Sequence, residues 1–156
     1  MPSDRNPPRG AGPARKAALA RATVLALSLG HAAPADAGPD GAALYADQCA
    51  ACHGADLEGA PDWQRPGPDG RLPAPPHDAT GHTWHHGDAF LMDYTRRGGQ
   101  AVLDDLGVRY DSAMPAFGDI LTDDDIAAIL DYIKTYWPEE LRAFQAERTA
   151  DEDATR

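Results

Sequence analysis

Two cysteines and a histidine form the most informative cluster of the sequence, Cys49-Ala-Ala-Cys52-His53. The chain has no other cysteine, so this close pair cannot be a framework of several disulfides. A redox-active Cys-x-x-Cys pair needs a βαβ context, and no convincing strand precedes the cluster. A tetrahedral zinc site needs further ligands, usually cysteines, and none remain. The cluster therefore predicts covalent attachment of a c-type haem, for which C-x-x-C-H is the signature.

The spacing has a physical cause. Thiols about one helical turn apart reach the two vinyl groups on adjacent haem edges, and the next residue, His53, projects toward the iron as an axial ligand. Of the three methionines, Met1 lies at the first position, and Met92 lies in an expected helix, where packing is the ordinary role. Met114 lies in a loop, precedes Pro115 and is 61 residues past His53, which lets the chain reach the opposite haem face. If a methionine is the sixth iron ligand, Met114 is the candidate.

Helices are expected on both sides of a long loop region. Asp40 and Asp88 are candidate N-caps, and Thr122 with Asp125 resembles a capping box. Pro138 ends or kinks the helix that this box begins. The expected helices are Gly41 to about Cys52, Ala89–Arg97 ended by Gly98-Gly99, Asp123–Trp137, and a short amphipathic Glu139–Arg148 followed by a disordered acidic tail.

Residues 54–87 carry six prolines, which exclude a long regular element there. The pattern is thus all-α, with three or four helices and long loops. So few helices make a thin apolar core for about 119 residues, and a large bound cofactor would supply the missing contacts.

The sequence resembles the class I cytochrome c family, of the exported bacterial type, over roughly residues 40–137. The family order is helix, C-x-x-C-H, loop, methionine ligand and C-terminal helix. Gly41 and Tyr45 match its glycine and aromatic before the first cysteine, and Tyr132 matches the aromatic of its last helix. Met114-Pro-x-Phe117 is similar to its methionine loop.

The resemblance implies a cytochrome c-like fold wrapped around one covalent haem c, with His53 and Met114 as the axial pair, a pair that raises the reduction potential. In the family, the glycine allows the first and last helices to cross closely. A carbonyl from a proline-containing loop also accepts a hydrogen bond from the axial histidine, which fixes the imidazole. Pro75 or Pro76 is the candidate here.

The first 37 residues are expected to be a secretory signal peptide, followed by a cytochrome domain over residues 38–138 and a C-terminal extension over residues 139–156. The leader has a basic start, a short apolar run at residues 22–29, and the small-x-small pattern Ala35-Asp-Ala37 at the expected cleavage site. Eight apolar residues cannot span a bilayer. This order predicts an exported or periplasmic protein without a transmembrane segment in its mature chain.

The formal net charge is −11, and it becomes −14 once residues 1–37 are removed. Such a surface disfavours nucleic acid and favours redox partners with a basic docking face. We expect a monomer.

Four histidines, His77, His82, His85 and His86, lie within ten residues of the long loop. A second metal is one interpretation, and one of these histidines as the sixth haem ligand is another. The interpretation that we favour is a polar loop beside the haem in which Trp84 packs on the porphyrin edge or the propionates.

The expected function is one-electron transfer. A carrier needs both axial ligands and no catalytic base, and no convincing set of catalytic residues is present. A haem subunit of a larger oxidoreductase complex is a second interpretation. A haem peroxidase or sensor is a third, but it needs an open iron position, which Met114 would close.

Overall fold

The computed structural model describes residues 38–155, so the expected signal peptide and its cleavage site at Ala37 lie outside the described residues. Within this range the chain is all-helical and has no strand, which confirms the expected class. No helix of the described range is long and apolar enough to cross a membrane. The elements are α1 (Gly41–Gln48), α2 (Ala50–His53), a 3₁₀ turn (Thr83–His85), α3 (Asp88–Arg97), α4 (Gly99–Asp105), α5 (Asp123–Lys134) and α6 (Glu139–Ala154).

Helices α1 and α5 cross at close range. Asp40 caps α1 as expected, because its carboxylate accepts hydrogen bonds from the backbone of Ala42 and Ala43. Gly41 lies so near α5 that a β-carbon there would be 2.0 Å from the Ala128 carbonyl oxygen. One turn later, the ring centroids of Tyr45 and Tyr132 are 5.5 Å apart. The absence of a side chain at Gly41 is what permits this crossing.

The apolar core gathers around α5, which begins with the expected capping box: Thr122 and Asp125 exchange side-chain and backbone hydrogen bonds. Trp137, 2% exposed, closes one end of the core and donates a hydrogen bond from Nε1 to the His77 carbonyl at 2.8 Å. The buried hydrophobic residues of the core cluster are Tyr45, Leu57, Leu91, Leu121, Ile126, Ile129, Leu130, Ile133 and Trp137.

Several helix bounds differ from the sequence prediction. The first expected helix is divided at Cys49, whose φ of −115° departs from helical geometry. Regular helix in α5 ends at Lys134, because the amides of residues 135–137 bond three residues back and tighten the chain into turns. Gly87, rather than Asp88, is the N-cap of α3.

Two helical segments were not predicted. Gly98 (φ 81°) ends α3 as expected, but α4 begins at the next residue, so Gly98-Gly99 is a junction between helices rather than the start of a loop. The segment after Arg148, predicted to be disordered, continues as helix to Ala154. Its side chains at Thr149 and Glu152 hydrogen-bond to the start of α3, which supplies the order that the sequence pattern alone did not reveal.

Candidate functional site

The two cysteines flank one short turn of helix. Cys49 is half-buried at the start of α2, Cys52 is exposed near its end, and both are free thiols. Burial, with a smaller contribution from Cys52, raises the pKa of the Cys49 thiol to about 11. A redox-active Cys-x-x-Cys pair depends on a lowered thiol pKa. The environment of Cys49 therefore differs from that of a redox-active Cys-x-x-Cys pair.

His53 is buried and held by one backbone contact. Its Nδ1 lies 2.8 Å from the Pro75 carbonyl oxygen. Because a carbonyl only accepts, Nδ1 carries the proton and Nε2 keeps its lone pair. Burial lowers the pKa of His53, with the Pro75 hydrogen bond acting in the opposite direction, so the ring is neutral near pH 7. A neutral imidazole oriented through Nδ1 is the form that binds a metal through Nε2.

The loop that carries Pro75 is tied back to α2. The amide of Gly59 donates to the His53 carbonyl at 2.7 Å, and the amide of His77 donates to the Leu57 carbonyl at 2.8 Å. Leu57 itself is fully buried and adopts a left-handed φ of 65°. Two backbone hydrogen bonds therefore fix the path of the loop on either side of the carbonyl that orients His53.

His77 supports His53 from the side. The two ring centroids are 4.0 Å apart, and Nδ1 of His77 lies 3.0 Å from the Thr83 hydroxyl. Burial holds the pKa of His77 well below its ordinary value, and the neighbouring His53 lowers it further. This uncharged ring limits rotation of the His53 imidazole, a packing role that sequence spacing did not reveal.

Met114 is half-buried in the loop between α4 and α5, and its backbone is fixed at both polar atoms. Its carbonyl accepts a hydrogen bond from Gly99 at 3.1 Å, and its amide donates to the Ser112 hydroxyl at 3.3 Å. The Ser112 hydroxyl also lies 3.3 Å from the Tyr94 hydroxyl. A β-carbon at Gly98 would be 2.8 Å from the Ala116 nitrogen, so the glycine lets this loop approach closely.

The chain just after Met114 is held by the end of α3. The amide of Phe117 donates to the Thr95 carbonyl at 3.1 Å, and the amide of Gly118 donates to the Arg96 carbonyl at 2.9 Å. The end of α3 therefore supplies the backbone acceptors that hold this loop. Residues 114–118, with these contacts, are called the methionine loop below.

The histidines of the long loop take part in aromatic packing. His85 stacks on Trp84 with ring centroids 3.7 Å apart, and His86 stacks on Phe90 at 4.4 Å. Across residues 38–155, no group of three or more metal-ligating side chains is arranged to hold an ion. The structure thus gives no support for a second metal in this loop.

Trp84 faces the C-terminal helix. Its indole nitrogen donates to the Gly81 carbonyl at 3.1 Å, and its ring makes an edge contact with Phe144 of α6. The contact with a porphyrin edge stays a prediction for this residue.

The cytochrome c family model matches residues 39–137, most of the described chain. The chain belongs to the cytochrome c family. No curated protein and no solved structure matches it. Members of this family bind haem c covalently and act in electron transfer, and Cys49 and Cys52 have the spacing of the attachment motif.

The residues of this cytochrome are suited to bind a covalent haem c. Free thiols stand one turn apart, and a neutral, oriented imidazole follows them. The matched range ends at Trp137, so α6 is an addition to the family domain.

Proposed function

We propose that this cytochrome is a one-electron carrier whose haem iron is held between His53 and Met114. The observation that carries the proposal is the 2.8 Å contact between Nδ1 of His53 and the Pro75 carbonyl. It fixes the tautomer and the ring orientation that an axial ligand needs. When bound, the haem supplies the one-electron couple.

The second iron ligand would be the Met114 thioether. The described chain contains one other methionine, Met92, which lies within α3 and packs beside the core. Met114 instead lies in a loop whose backbone is fixed through Ser112 and Gly99. A thioether is a soft ligand that favours ferrous iron, so Met114 would hold the reduction potential high.

The protein's remaining task is to exchange electrons without further chemistry. With His53 and Met114 both bound, the iron would offer no position for peroxide or a gaseous ligand, which argues against a peroxidase or sensor.

Export to the periplasm and a basic partner complete the proposal. Residues 38–156 carry a formal net charge of −14, which attracts a partner with a basic docking face.

The alternative role as a subunit of a larger complex needs a docking face. Gln145 of α6 is buried against the start of α3 through its hydrogen bond to Asp88, whereas Phe144, which contacts Trp84, remains 40% exposed.

The test is a redox titration of the purified holoprotein followed in its visible spectrum. We expect a six-coordinate low-spin haem in both oxidation states, one Nernst step, no spectral response to peroxide, and only slow binding of carbon monoxide, limited by release of Met114. A five-coordinate spectrum, or rapid carbon monoxide binding, would exclude the carrier. Gel filtration of a native extract separates the free carrier from a complex subunit.

A further inference from the structure

Helix α3 begins without a capping side chain of its own. Its N-cap is Gly87, which offers no side-chain acceptor to the first amides of the helix. Amides at a helix start have no partner within the helix and need acceptors from elsewhere. Gly87 is nonetheless buried, so solvent is poorly placed to satisfy them.

The acceptors come from α6, more than 60 residues later. The two carboxylate oxygens of Glu152 accept hydrogen bonds from the amides of Gly87, at 3.0 Å, and Phe90, at 3.2 Å. The Thr149 hydroxyl accepts from the Asp88 amide at 3.1 Å. A carboxylate at this end also interacts favourably with the helix dipole. Glu152 and Thr149 thus form an N-cap supplied by another helix.

Gln145 joins the same contact from one turn earlier in α6. Its side-chain amide donates to the Asp88 carboxylate at 2.7 Å and to the His86 carbonyl at 3.2 Å. Asp88 also accepts from Lys134 of α5 at 2.8 Å. The start of α3 is therefore fixed against both α5 and α6, and Gln145 is almost completely buried in that contact.

The other end of α3 holds the methionine loop through the Thr95 and Arg96 carbonyls. The helix has ten residues and so spans about 15 Å. A continuous helix of this length transmits a displacement of its start to its end. Loosening at Gly87 is thereby linked to the loop that carries Met114.

We propose that Glu152 and Thr149 of α6 are positioning residues, which act through α3 to keep the Met114 thioether on the iron. This inference rests on the proposed function, because it requires Met114 to be the ligand. The cap lies beyond residue 137, where the family match ends, so it is a feature of this chain's own extension. Detachment of α6 would free Met114 more often and open the iron to small ligands.

The experiment uses the holoprotein and two pairs of variants. Thr149→Val removes the hydroxyl acceptor at nearly constant volume, and Thr149→Ser restores it. Glu152→Ala removes both carboxylate acceptors, and Glu152→Gln keeps one. Loss of a cap typically changes an equilibrium by about fivefold. We expect the rate of carbon monoxide binding to the ferrous protein to rise by up to about fivefold in Thr149→Val and to return to the original value in Thr149→Ser. The rate in Glu152→Gln should lie between those of the original protein and Glu152→Ala.

Amide hydrogen exchange gives a readout independent of iron chemistry. Protection of Gly87, Asp88 and Phe90 should fall in the disrupted variants, and protection of Phe117 and Gly118 should fall with it. The matched control is Asp40→Ala, which also removes a carboxylate that accepts from two amides, at the start of α1. This control should leave carbon monoxide binding unchanged.

Two results would overturn the inference. One is unchanged carbon monoxide binding in Thr149→Val and Glu152→Ala although the α3 amides have lost protection. The other is an equal rise in Asp40→Ala, which would indicate general destabilisation. Either result leaves the proposed function standing, provided that Met114→Ala removes the methionine ligation. If Met114→Ala changes nothing at the iron, the proposed function itself fails.

Discussion

Gly41 and the Ala128 carbonyl are in direct contact across the crossing of α1 and α5, with no space between them for a β-carbon. Gly41→Ala would place that carbon 2.0 Å from the carbonyl oxygen, so α1 must move away from α5. We expect a loss of about 1–3 kcal/mol in the free energy of unfolding, the usual cost of overpacking. Guanidinium denaturation measures it. Gly38→Ala is the control, because Gly38 has open space around it and should show no loss.

Met114→Ala should lower the reduction potential by an appreciable part of the roughly 0.8 V range that axial ligation spans. Water or a histidine would replace the thioether, and both are harder ligands that favour ferric iron. The ferric charge-transfer band of methionine-ligated haem should vanish, and carbon monoxide should bind.

Met92→Ala is the matched control for that substitution. Met92 is only partly buried beside the core, so we expect a packing loss near or below the lower end of about 2–5 kcal/mol, with the spectrum unchanged. If Met92→Ala removes the charge-transfer band and Met114→Ala keeps it, the ligand assignment is wrong.

The Asp125 carboxylate at the start of α5 should make the free energy of unfolding depend on pH. Hydrogen bonds from the Thr122 side chain and backbone hold the pKa of Asp125 below its ordinary value. A carboxylate with a lowered folded-state pKa stabilises the fold above the unfolded-state pKa, about 3.9, and the contribution is lost as the pH falls through the folded-state pKa. Asp125→Ala should therefore lower the free energy of unfolding near pH 7 and much less near pH 2. An equal loss at both pH values would show that the carboxylate charge is irrelevant.

Electron exchange with a basic redox protein should slow as the ionic strength rises. The net charge of −14 on residues 38–156 should steer such a partner, and salt screens the attraction. Stopped-flow rates over a salt series check this, with a neutral small-molecule reductant as the control. A rate that stays flat or rises with salt would point instead to an apolar docking surface, for which Ile120 is 64% exposed.

The sequence predicted the features that depend on neighbouring residues. C-x-x-C-H is contiguous, and the Thr122–Asp125 box is local, so both could be read directly. For the hydrogen bond from His53 to a proline carbonyl, the candidates were Pro75 and Pro76. The sequence could not choose between them, because the path of the chain from His53 to Pro75, 22 positions later, decides which carbonyl reaches the ring.

Features that depend on distant partners were missed. The helix after Arg148 is ordered by hydrogen bonds to α3, about 60 residues earlier, and no local pattern reports such a contact. Helix α4 was missed because a Gly-Gly pair is typical of a helix end. Glycine is needed at this junction because the loop at Ala116 approaches Gly98 closely, a contact that the sequence does not reveal.

The hydrogen bond from Trp137 to the His77 carbonyl has an optical consequence. His77 packs against His53, so the indole of Trp137 is buried near the haem-binding side of the fold, where a porphyrin absorbs its emission by energy transfer. Unfolding separates the two chromophores and restores the fluorescence. With Trp63 and Trp84 replaced by Phe, the remaining indole emits in proportion to the unfolded fraction, and the chain reports its own folding without an added dye.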